Sequence, residues 1–155
     1  YWTNLPVKNI PLLRDLSVVG DILEPTTSEK IYTQPYLKLY DWKAEQDYVQ
    51  RIPHGSTTRR IGYISENQAQ ATRVYSKDGK SVCLLAKAGG QGGKTGLYAL
   101  NGKQARKLSV LECERLQTLP EGYTTSVKGS NEKRYQAIGN GWTVDVVAHF
   151  FKGLN

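Results

Sequence analysis

Residues 106–123 read RKLSVLECERLQTLPEGY, and residues 134–147 read RYQAIGNGWTVDVV. In the first stretch, Ser109 and Glu112 have the spacing of a capping box, in which each side chain bonds a backbone N–H at the start of a helix. Leu108 before the cap and Cys113 at the fourth helical position predict an accompanying hydrophobic staple. The stretch therefore predicts a helix that begins after Ser109 and is stopped by Pro-Glu-Gly at 120–122.

The second stretch predicts a helix near the C-terminus. Val144, Val147, Ala148 and Phe151 are spaced i, i+3, i+4 and i+7, so one helix face is apolar and must pack against another surface. The Gly-Asn-Gly sequence at 139–141 indicates a tight turn before this helix.

Residues 60–100 have the period of strands. The runs at 61–64, 72–75 and 81–86 are β-prone, and Asp78-Gly79 between the last two indicates a type I′ hairpin. We predict a small twisted antiparallel sheet here. Before it, the sequence predicts a short strand at 1–5, ended by Pro6, and a helix over 36–49.

Composition indicates a single soluble globular domain of 155 residues, with 39% hydrophobic and 23% charged residues and no apolar run long enough to cross a membrane. The net charge is +7, and residues 51–100 hold 8 basic against 2 acidic side chains. Such a basic stretch fits a polyanionic partner or, equally well, a solvated basic surface. Two cysteines without C-x-x-C spacing and two distant histidines predict no metal site.

Residues 88–95, AGGQGGKT, match the relaxed P-loop pattern. A P-loop opens a helix, however, whereas 96–102, GLYALNG, predicts a short strand ending in a turn. Nucleotide hydrolysis is therefore disfavoured. The same glycines let the backbone approach another backbone or a phosphate chain closely.

The two C-terminal stretches resemble the ninth and tenth motifs of DNA cytosine-5 methyltransferases, R-x-L-T-x-x-E-C-x-R-L-Q-x-F-P-x-x-Y and Q-x-G-N-x-V-x-x-x-V. Ser109 and Leu119 replace the threonine and the phenylalanine of the ninth. Residues 72–98 resemble the core of the family's target recognition domain without a gap, and residues 16–33 resemble the connector that leads into it. The family's Pro-Cys nucleophile, Glu-Asn-Val segment and glycine-rich S-adenosylmethionine (AdoMet) loop do not occur in these 155 residues.

The resemblance implies an α+β fold, a small sheet with flanking helices that return to an absent Rossmann-like catalytic lobe. It divides the chain into the end of the catalytic lobe and connector (1–24), the target recognition domain (25–109), the ninth-motif helix and hinge (110–139) and the tenth-motif helix (140–155). No catalytic residue is expected in the chain.

The resemblance also implies roles in binding DNA. Gln70 would fill the space left by a flipped-out base, and Arg73 would read a base edge; the alternatives are a solvated glutamine and an arginine in a cross-strand pair or on a phosphate. Cys83 stands where the family usually has a threonine that bonds a phosphate, and a thiol is a weaker donor. The other expected DNA contacts are Arg59, Arg60, Lys87, Gly89, Gly90 and Lys94.

Three residues of the tenth motif, Asn140, Gly141 and Trp142, would contribute to the AdoMet pocket, with Trp142 as a core residue in the alternative. Three residues do not make a site, so we expect no AdoMet affinity from this chain alone. Arg106 would form a buried salt bridge that ties the ninth-motif helix to the recognition domain.

The implied enzyme transfers a methyl group from AdoMet to C5 of cytosine in duplex DNA, through a cysteine outside this chain, and this chain reads the sequence. We expect a restriction-modification setting in the cytoplasm of a bacterial or phage-infected cell, at the nucleoid. Duplex DNA and the missing lobe are the expected partners. The alternatives are one subunit of a split methyltransferase, a stand-alone DNA-binding module and, least favoured, a P-loop NTPase.

Overall fold

The computed structural model describes residues 18–40, 57–86 and 95–152, and within them it contains six strands and four α-helices. The helices are α1 (Val19–Ile22), α2 (Val110–Leu116), α3 (Asn131–Asn140) and α4 (Val144–Phe151). The strands are β1 (Ile31–Tyr32), β2 (Lys38–Leu39), β3 (Arg60–Tyr63), β4 (Arg73–Ser76), β5 (Leu97–Asn101) and β6 (Gln104–Arg106). Short 3-10 turns cover Gln70–Thr72 and Tyr123–Ser126. The predicted α+β class is confirmed.

The six strands form one mixed sheet in the order β1-β6-β5-β4-β3-β2. The pair β4–β5 is parallel, and the other four pairs are antiparallel. The prediction of a purely antiparallel sheet within 60–100 is therefore wrong. The 20 residues from 77 to 96 are long enough for a crossover, which a parallel pair requires. The sheet also includes short strands outside the predicted region, β1 and β2 before it and β6 after it.

The predicted hairpin at Asp78-Gly79 is also wrong, because residues 81–86 form no strand. Gly79 lacks the positive φ that a type I′ turn requires. The backbone after the turn bonds to other segments instead: Lys80 N donates to Thr57 O at 3.0 Å, and Val82 N donates to the Tyr98 hydroxyl at 3.1 Å.

The helix predicted over 36–49 is contradicted at its start, where Lys38 and Leu39 form β2 and pair with Tyr63 and Gly62 of β3. A Cβ on Gly62 would stand 2.2 Å from Lys38 O, so glycine permits this pairing. Strand pairing overrides a weak helical period here. Residues 41–50 lie outside the described residues, as does the strand predicted at 1–5.

Two hydrophobic clusters form the core, and successive strand residues alternate between them. Tyr75 and Tyr98 belong to the cluster that packs against the helices, whereas Val74 and Leu97 belong to the other. The helix-side cluster also holds Val19, Leu108, Val110, Cys113, Tyr135 and Ile138. The sheet is thus covered by helices on the face that carries Tyr75 and Tyr98.

Helix α2 begins as predicted. Glu112 N donates to Ser109 Oγ at 3.2 Å, and the Glu112 carboxylate accepts from Ser109 N at 2.7 Å, which completes the capping box. Leu108 and Cys113 lie buried in one cluster, as a hydrophobic staple requires. The helix ends at Leu116, before Pro120, because Thr118 adopts a left-handed conformation with φ of 54°.

The turn predicted at 139–141 is shorter than expected, because α3 continues through Gly139 to Asn140. A Cβ on Gly139 would stand 2.3 Å from the carbonyl carbon of Leu85. The glycine therefore serves a close approach between the α3 backbone and the segment 81–86.

The amphipathic helix α4 is confirmed, and its apolar face remains open within the described part of the chain. Val144 is 41% exposed and Phe151 56% exposed, and no residue of α4 is buried. In residues 18–40, 57–86 and 95–152, no helix is both long and apolar enough to cross a bilayer.

Candidate nucleic-acid interface

A loop of residues 64–72 joins β3 to β4 and is held in shape by its own backbone. Ile64 N donates to Thr72 O at 2.9 Å across the base of the loop, and Gln68 N donates to Ser65 O at 2.9 Å. Gln70 is exposed on this loop, and Arg73, half-buried, begins β4 directly after it. The structure therefore brings together the two residues that the resemblance assigns to a flipped base and its neighbours.

The Arg73 side chain is bonded to the same loop. Its Nε donates to Gln68 O at 3.1 Å. Among the described residues, no carboxylate forms an ion pair with Arg73. Arg73 stands opposite Tyr63 across β3 and β4, so the cross-strand pair considered as an alternative is present, with a tyrosine as the partner. Within the described residues its two Nη groups make no ion pair, which leaves them able to bind a ligand.

Arg60 also contacts the loop. Its Nη2 donates to Gln68 Oε1 at 2.5 Å, and its guanidinium lies 5.7 Å from the centre of the Tyr40 ring. Arg59 is half-buried, and its carbonyl accepts from Ser76 N at 2.9 Å. Arg60 therefore contacts the loop, whereas Arg59 lies beside the far end of β4, and neither arginine is a fully exposed cation.

The glycine-rich segment is followed by a strand and not by a helix. Gly96 has a φ of 87°, and a Cβ there would stand 2.6 Å from the Tyr75 ring, so this position requires glycine. Leu97 then begins β5. The strand predicted here is confirmed, and the P-loop hypothesis is contradicted. Lys87, Gly89, Gly90 and Lys94 lie outside the described residues.

The two cysteines differ in exposure. Cys113 is buried, and burial raises the pKa of its thiol to about 12, so it stays protonated and inert at neutral pH. Cys83 is exposed. It lines an open cleft of about 350 Å³ that is also lined by Gly141 and Trp142. One residue predicted to bind DNA and two predicted to bind the cofactor therefore share a cleft.

Gln117 at the end of α2 holds the stretch that precedes α4. Its Nε2 donates to Ile138 O at 3.0 Å, and its Oε1 accepts from Thr143 Oγ1 at 2.9 Å. Its backbone carbonyl accepts from Val144 N at 3.0 Å. This buried glutamine thereby fixes the backbone on both sides of Gly141 and Trp142, a role that the sequence patterns did not reveal.

The predicted salt bridge of Arg106 is present and fully buried. Two of its nitrogens donate to the two oxygens of Glu112, each at 2.7 Å. Burial would lower the pKa of Arg106, but bonding to Glu112 outweighs it, so that pKa lies above its ordinary value. Arg106 ends β6 and Glu112 lies on α2, so the pair joins the sheet to the helix.

Comparison with known proteins decides the family. A family model described as C-5 cytosine-specific DNA methylase matches residues 4–155. The chain belongs to this family. It is also 36% identical over 92 residues to the Type II methyltransferase M.HhaI of Haemophilus parahaemolyticus. That similarity covers 59% of this chain and 27% of that protein, so the chain spans about a quarter of the length of this curated relative.

C-5 cytosine methylases use AdoMet, and the structure describes all three residues that the resemblance assigns to a pocket for it. Trp142 is 64% exposed beside Gly141, and Asn140 is exposed at the end of α3. An exposed indole and nearby backbone groups can cover one side of a planar base. Gly141 and Trp142 line two open clefts, of about 350 and about 220 Å³, whereas Asn140 lines neither.

The sequence did not predict the roles of two residues, Gln117 and Gln68. Gln117 belongs to the R-L-Q of the ninth motif, so a signal was present, but its partners are 21 and 26 residues away. Gln68 carries no motif signal, because its importance arises only when the loop folds and brings Arg60 and Arg73 to it.

Proposed function

We propose that this chain is the DNA-recognition portion, including the ninth and tenth motifs, of a methyltransferase that moves a methyl group from AdoMet to C5 of cytosine in duplex DNA. The observation that carries the proposal is the placement of Gln70 on the loop before β4 and of Arg73 at the start of β4, in a chain of the C-5 cytosine methylase family. Residues 25–109 would recognise DNA, and 110–155 would connect back to a catalytic lobe that ends in 1–24.

In this function the loop acts on a base pair that is being opened. A methyltransferase cannot reach cytosine C5 inside the stack, so the base is flipped out at a cost of a few kcal/mol. Exposed Gln70 would enter the vacated space, and the Nη groups of Arg73 would bond the O6 and N7 of a guanine. One such bidentate contact contributes about 1 to 3 kcal/mol of discrimination between bases.

Positive charge would hold the DNA backbone against the loop. Residues 51–100 contain 8 basic and 2 acidic side chains, a balance that favours release of counterions from phosphates. Arg59, Arg60, Lys87 and Lys94 would position the duplex without reading its sequence. Gly89 and Gly90 would allow close approach of the backbone, and the Cys83 thiol would give only a weak phosphate contact.

The cofactor role is limited to one wall of a pocket. AdoMet, when bound, supplies the methyl group. Within this chain, Asn140, Gly141 and Trp142 would cover one side of it, and Gln117 would hold their backbone in place through its bonds to Ile138 and Thr143. A nucleophile and the remaining cofactor contacts must come from a catalytic lobe, in the same polypeptide or as a separate subunit.

The open apolar face of α4 favours this arrangement over a stand-alone DNA-binding module. Val144 and Phe151 are exposed in the described residues, and a catalytic lobe is the surface proposed to cover them. We place the enzyme in the cytoplasm of a bacterial or phage-infected cell, at the nucleoid, in a restriction-modification system.

The experiment is complementation with a cytosine-5 catalytic lobe that carries the Pro-Cys and AdoMet-loop motifs. Transfer of a tritiated methyl group to duplex DNA is measured for this chain alone, the lobe alone and both together. We expect site-specific methylation only in the mixture, and we expect Val147→Asp on α4 to abolish it. Full activity of the chain alone, or self-association that buries α4 without any DNA methylation in the mixture, would contradict the proposal.

A further inference from the structure

The side chain and carbonyl of Gln68 join two arginines that sequence reasoning treats as independent. The carbonyl accepts from Arg73 Nε at 3.1 Å, while Oε1 accepts from Arg60 Nη2 at 2.5 Å and from the Tyr40 hydroxyl at 3.5 Å. Gln68 has a φ of 46°, a conformation that few residues other than glycine adopt. We infer that Gln68 is a positioning residue that aims Arg73 at its base, and that Arg60 and Tyr40 hold Gln68 in place.

The geometry of the guanidinium explains how a carbonyl can aim it. An arginine head is planar and carries five N–H donors in a fixed arrangement. When Nε is bonded to Gln68 O, the plane of the Arg73 head is fixed and both Nη groups remain for a guanine edge. This inference rests on the proposed function of Arg73 as a base reader.

Arg60 stabilises the unusual backbone of Gln68 from the side-chain end. Its donor contact of 2.5 Å and its position 5.7 Å from the Tyr40 ring place it under the loop. Tyr40 in turn packs against Tyr63, with ring centres 5.9 Å apart. Tyr63 pairs with Arg73 across β3 and β4. The contacts that hold Gln68 therefore also connect to Arg73, the residue that Gln68 positions.

A neutral acceptor suits this place better than a carboxylate. Glutamine holds Arg60 without cancelling its positive charge, so Arg60 can still attract a phosphate backbone. A glutamate at position 68 would keep the acceptor and strengthen the bond to Arg60, but it would add a negative charge beside the DNA. This variant should therefore keep the orientation of Arg73 while lowering the affinity for DNA.

The test measures discrimination between bases and overall affinity separately. This chain is assembled with a cytosine-5 catalytic lobe, its preferred duplex is selected from a randomised library, and binding is compared with duplexes that carry each single base change or 7-deazaguanine. Arg73→Ala identifies the base pair that Arg73 reads by a loss of about 5- to 150-fold in discrimination there. Gln68→Met, Gln68→Glu and Arg60→Met are then measured, with Gln136→Met on exposed α3 as the matched control.

We expect Gln68→Met and Arg60→Met to lower discrimination by about tenfold at that base pair only. Arg60→Met should in addition weaken binding to every duplex, because it also removes a proposed phosphate contact. Gln68→Glu should keep discrimination and lower affinity for every duplex, and Gln136→Met should change neither. In the Arg73→Ala background, Gln68→Met should cause no further loss, because Gln68 acts through Arg73.

Three outcomes would overturn the inference. One is normal discrimination in both Gln68→Met and Arg60→Met while Arg73→Ala loses it, which leaves the proposed role of Arg73 intact. Another is an equal loss from Gln68→Met with and without Arg73. The last is no loss from Arg73→Ala itself, which refutes the base-reading role on which the inference rests. Thermal unfolding distinguishes misfolded variants, and Arg60→Met keeps the test decisive should Gln68→Met not fold.

Discussion

Arg106 at the end of β6 and Glu112 on α2 form a buried ion pair through two hydrogen bonds of 2.7 Å. The Glu112 carboxylate also accepts from Ser109 N at 2.7 Å and from Glu24 N at 2.6 Å. One carboxylate therefore joins the sheet, the cap of α2 and the segment that follows α1. This junction fixes the sheet relative to the helices that carry the ninth and tenth motifs.

We predict that Arg106→Met destabilises the chain by about 3 to 5 kcal/mol, because it leaves the Glu112 charge buried without its partner. The control is Lys77→Met, which removes a partly exposed pair with Asp78 and should cost less than about 1 kcal/mol. Urea denaturation followed by tryptophan fluorescence measures both. The double variant Arg106→Met/Glu112→Leu should not recover full stability, since the N–H groups of Ser109 and Glu24 lose their acceptor. Equal stability of Arg106→Met and Lys77→Met would contradict the account.

Gly139→Ala should destabilise the chain by about 1 to 3 kcal/mol, the usual cost of inserting an atom into a packed contact. Its Cβ would stand 2.3 Å from the carbonyl carbon of Leu85 and 2.5 Å from Ala86 N, both backbone atoms that cannot move aside easily. Gly20→Ala is the control, because its Cβ would meet Lys77 O at an ordinary 3.4 Å. Thermal unfolding of the two variants decides, and a tolerated alanine at 139 would disprove the close packing of α3 on 81–86.

The loss of folding stability at acid pH should depend on Glu114. Burial alone would raise the pKa of its carboxyl, but hydrogen bonds from Thr124, Gly122 and Arg134 outweigh burial and hold it below the ordinary value. A folded-state pKa below the unfolded one gives stability that is present above about pH 4.5 and is lost as pH falls through the folded value. Glu114→Gln should therefore be less stable than wild type at neutral pH and lose less stability on acidification.

Denaturation curves at about pH 7 and about pH 3 test this directly, since the carboxyl of the unfolded chain, with an ordinary pKa of 4.5, is charged at the first pH and largely protonated at the second. The matched control is Glu121→Gln, an exposed carboxylate on the neighbouring turn that pairs with Arg115. It should change stability at neutral pH by less than about 1 kcal/mol, because an exposed ion pair contributes little. If Glu114→Gln and wild type lose the same free energy of unfolding between the two pH values, the charged carboxylate is not stabilised in the folded chain.

The sequence predicted those elements whose signals are local. The capping box at Ser109, the amphipathic face of α4 and the strands at Ile61 and Val74 depend on residues a few positions apart, and all are present. The errors came from pairing over long distances. The run 81–86 has strand-forming residues, but its backbone bonds to the Tyr98 hydroxyl and packs under Gly139, which no local pattern encodes.

The candidate site was predictable only in part, for the same reason. The resemblance pointed to Gln70, Arg73, Gly141 and Trp142. In the structure Gln70 is exposed on a loop, Arg73 is half-buried directly after that loop, and Gly141 and Trp142 line a cleft, while their roles stay predictions. It could not indicate Gln68, whose carbonyl reaches Arg73 only because the chain turns through a positive φ. Supporting contacts of this kind arise from the folded loop and leave no residue pattern.

Lys94 and Arg73 should affect DNA binding in different ways. Lys94→Ala removes a proposed phosphate contact, so it should weaken binding to all sequences and reduce the slope of log affinity against log salt by about 0.9. Arg73→Ala should relax discrimination at one base pair, by about 1 to 3 kcal/mol. Fluorescence anisotropy over a range of salt concentrations distinguishes the two. A sequence-specific loss from Lys94→Ala would contradict its assignment to the backbone.

The most direct test of the central claim, that this chain selects the DNA sequence, is an exchange of recognition portions. Residues 25–109 replace the corresponding part of a cytosine-5 methyltransferase of known specificity, and the methylated sites are mapped by bisulfite sequencing. We predict that the hybrid methylates a new site, and that Arg73→Ala in the hybrid relaxes this site at one position. Methylation that continues at the recipient enzyme's original site would contradict the account.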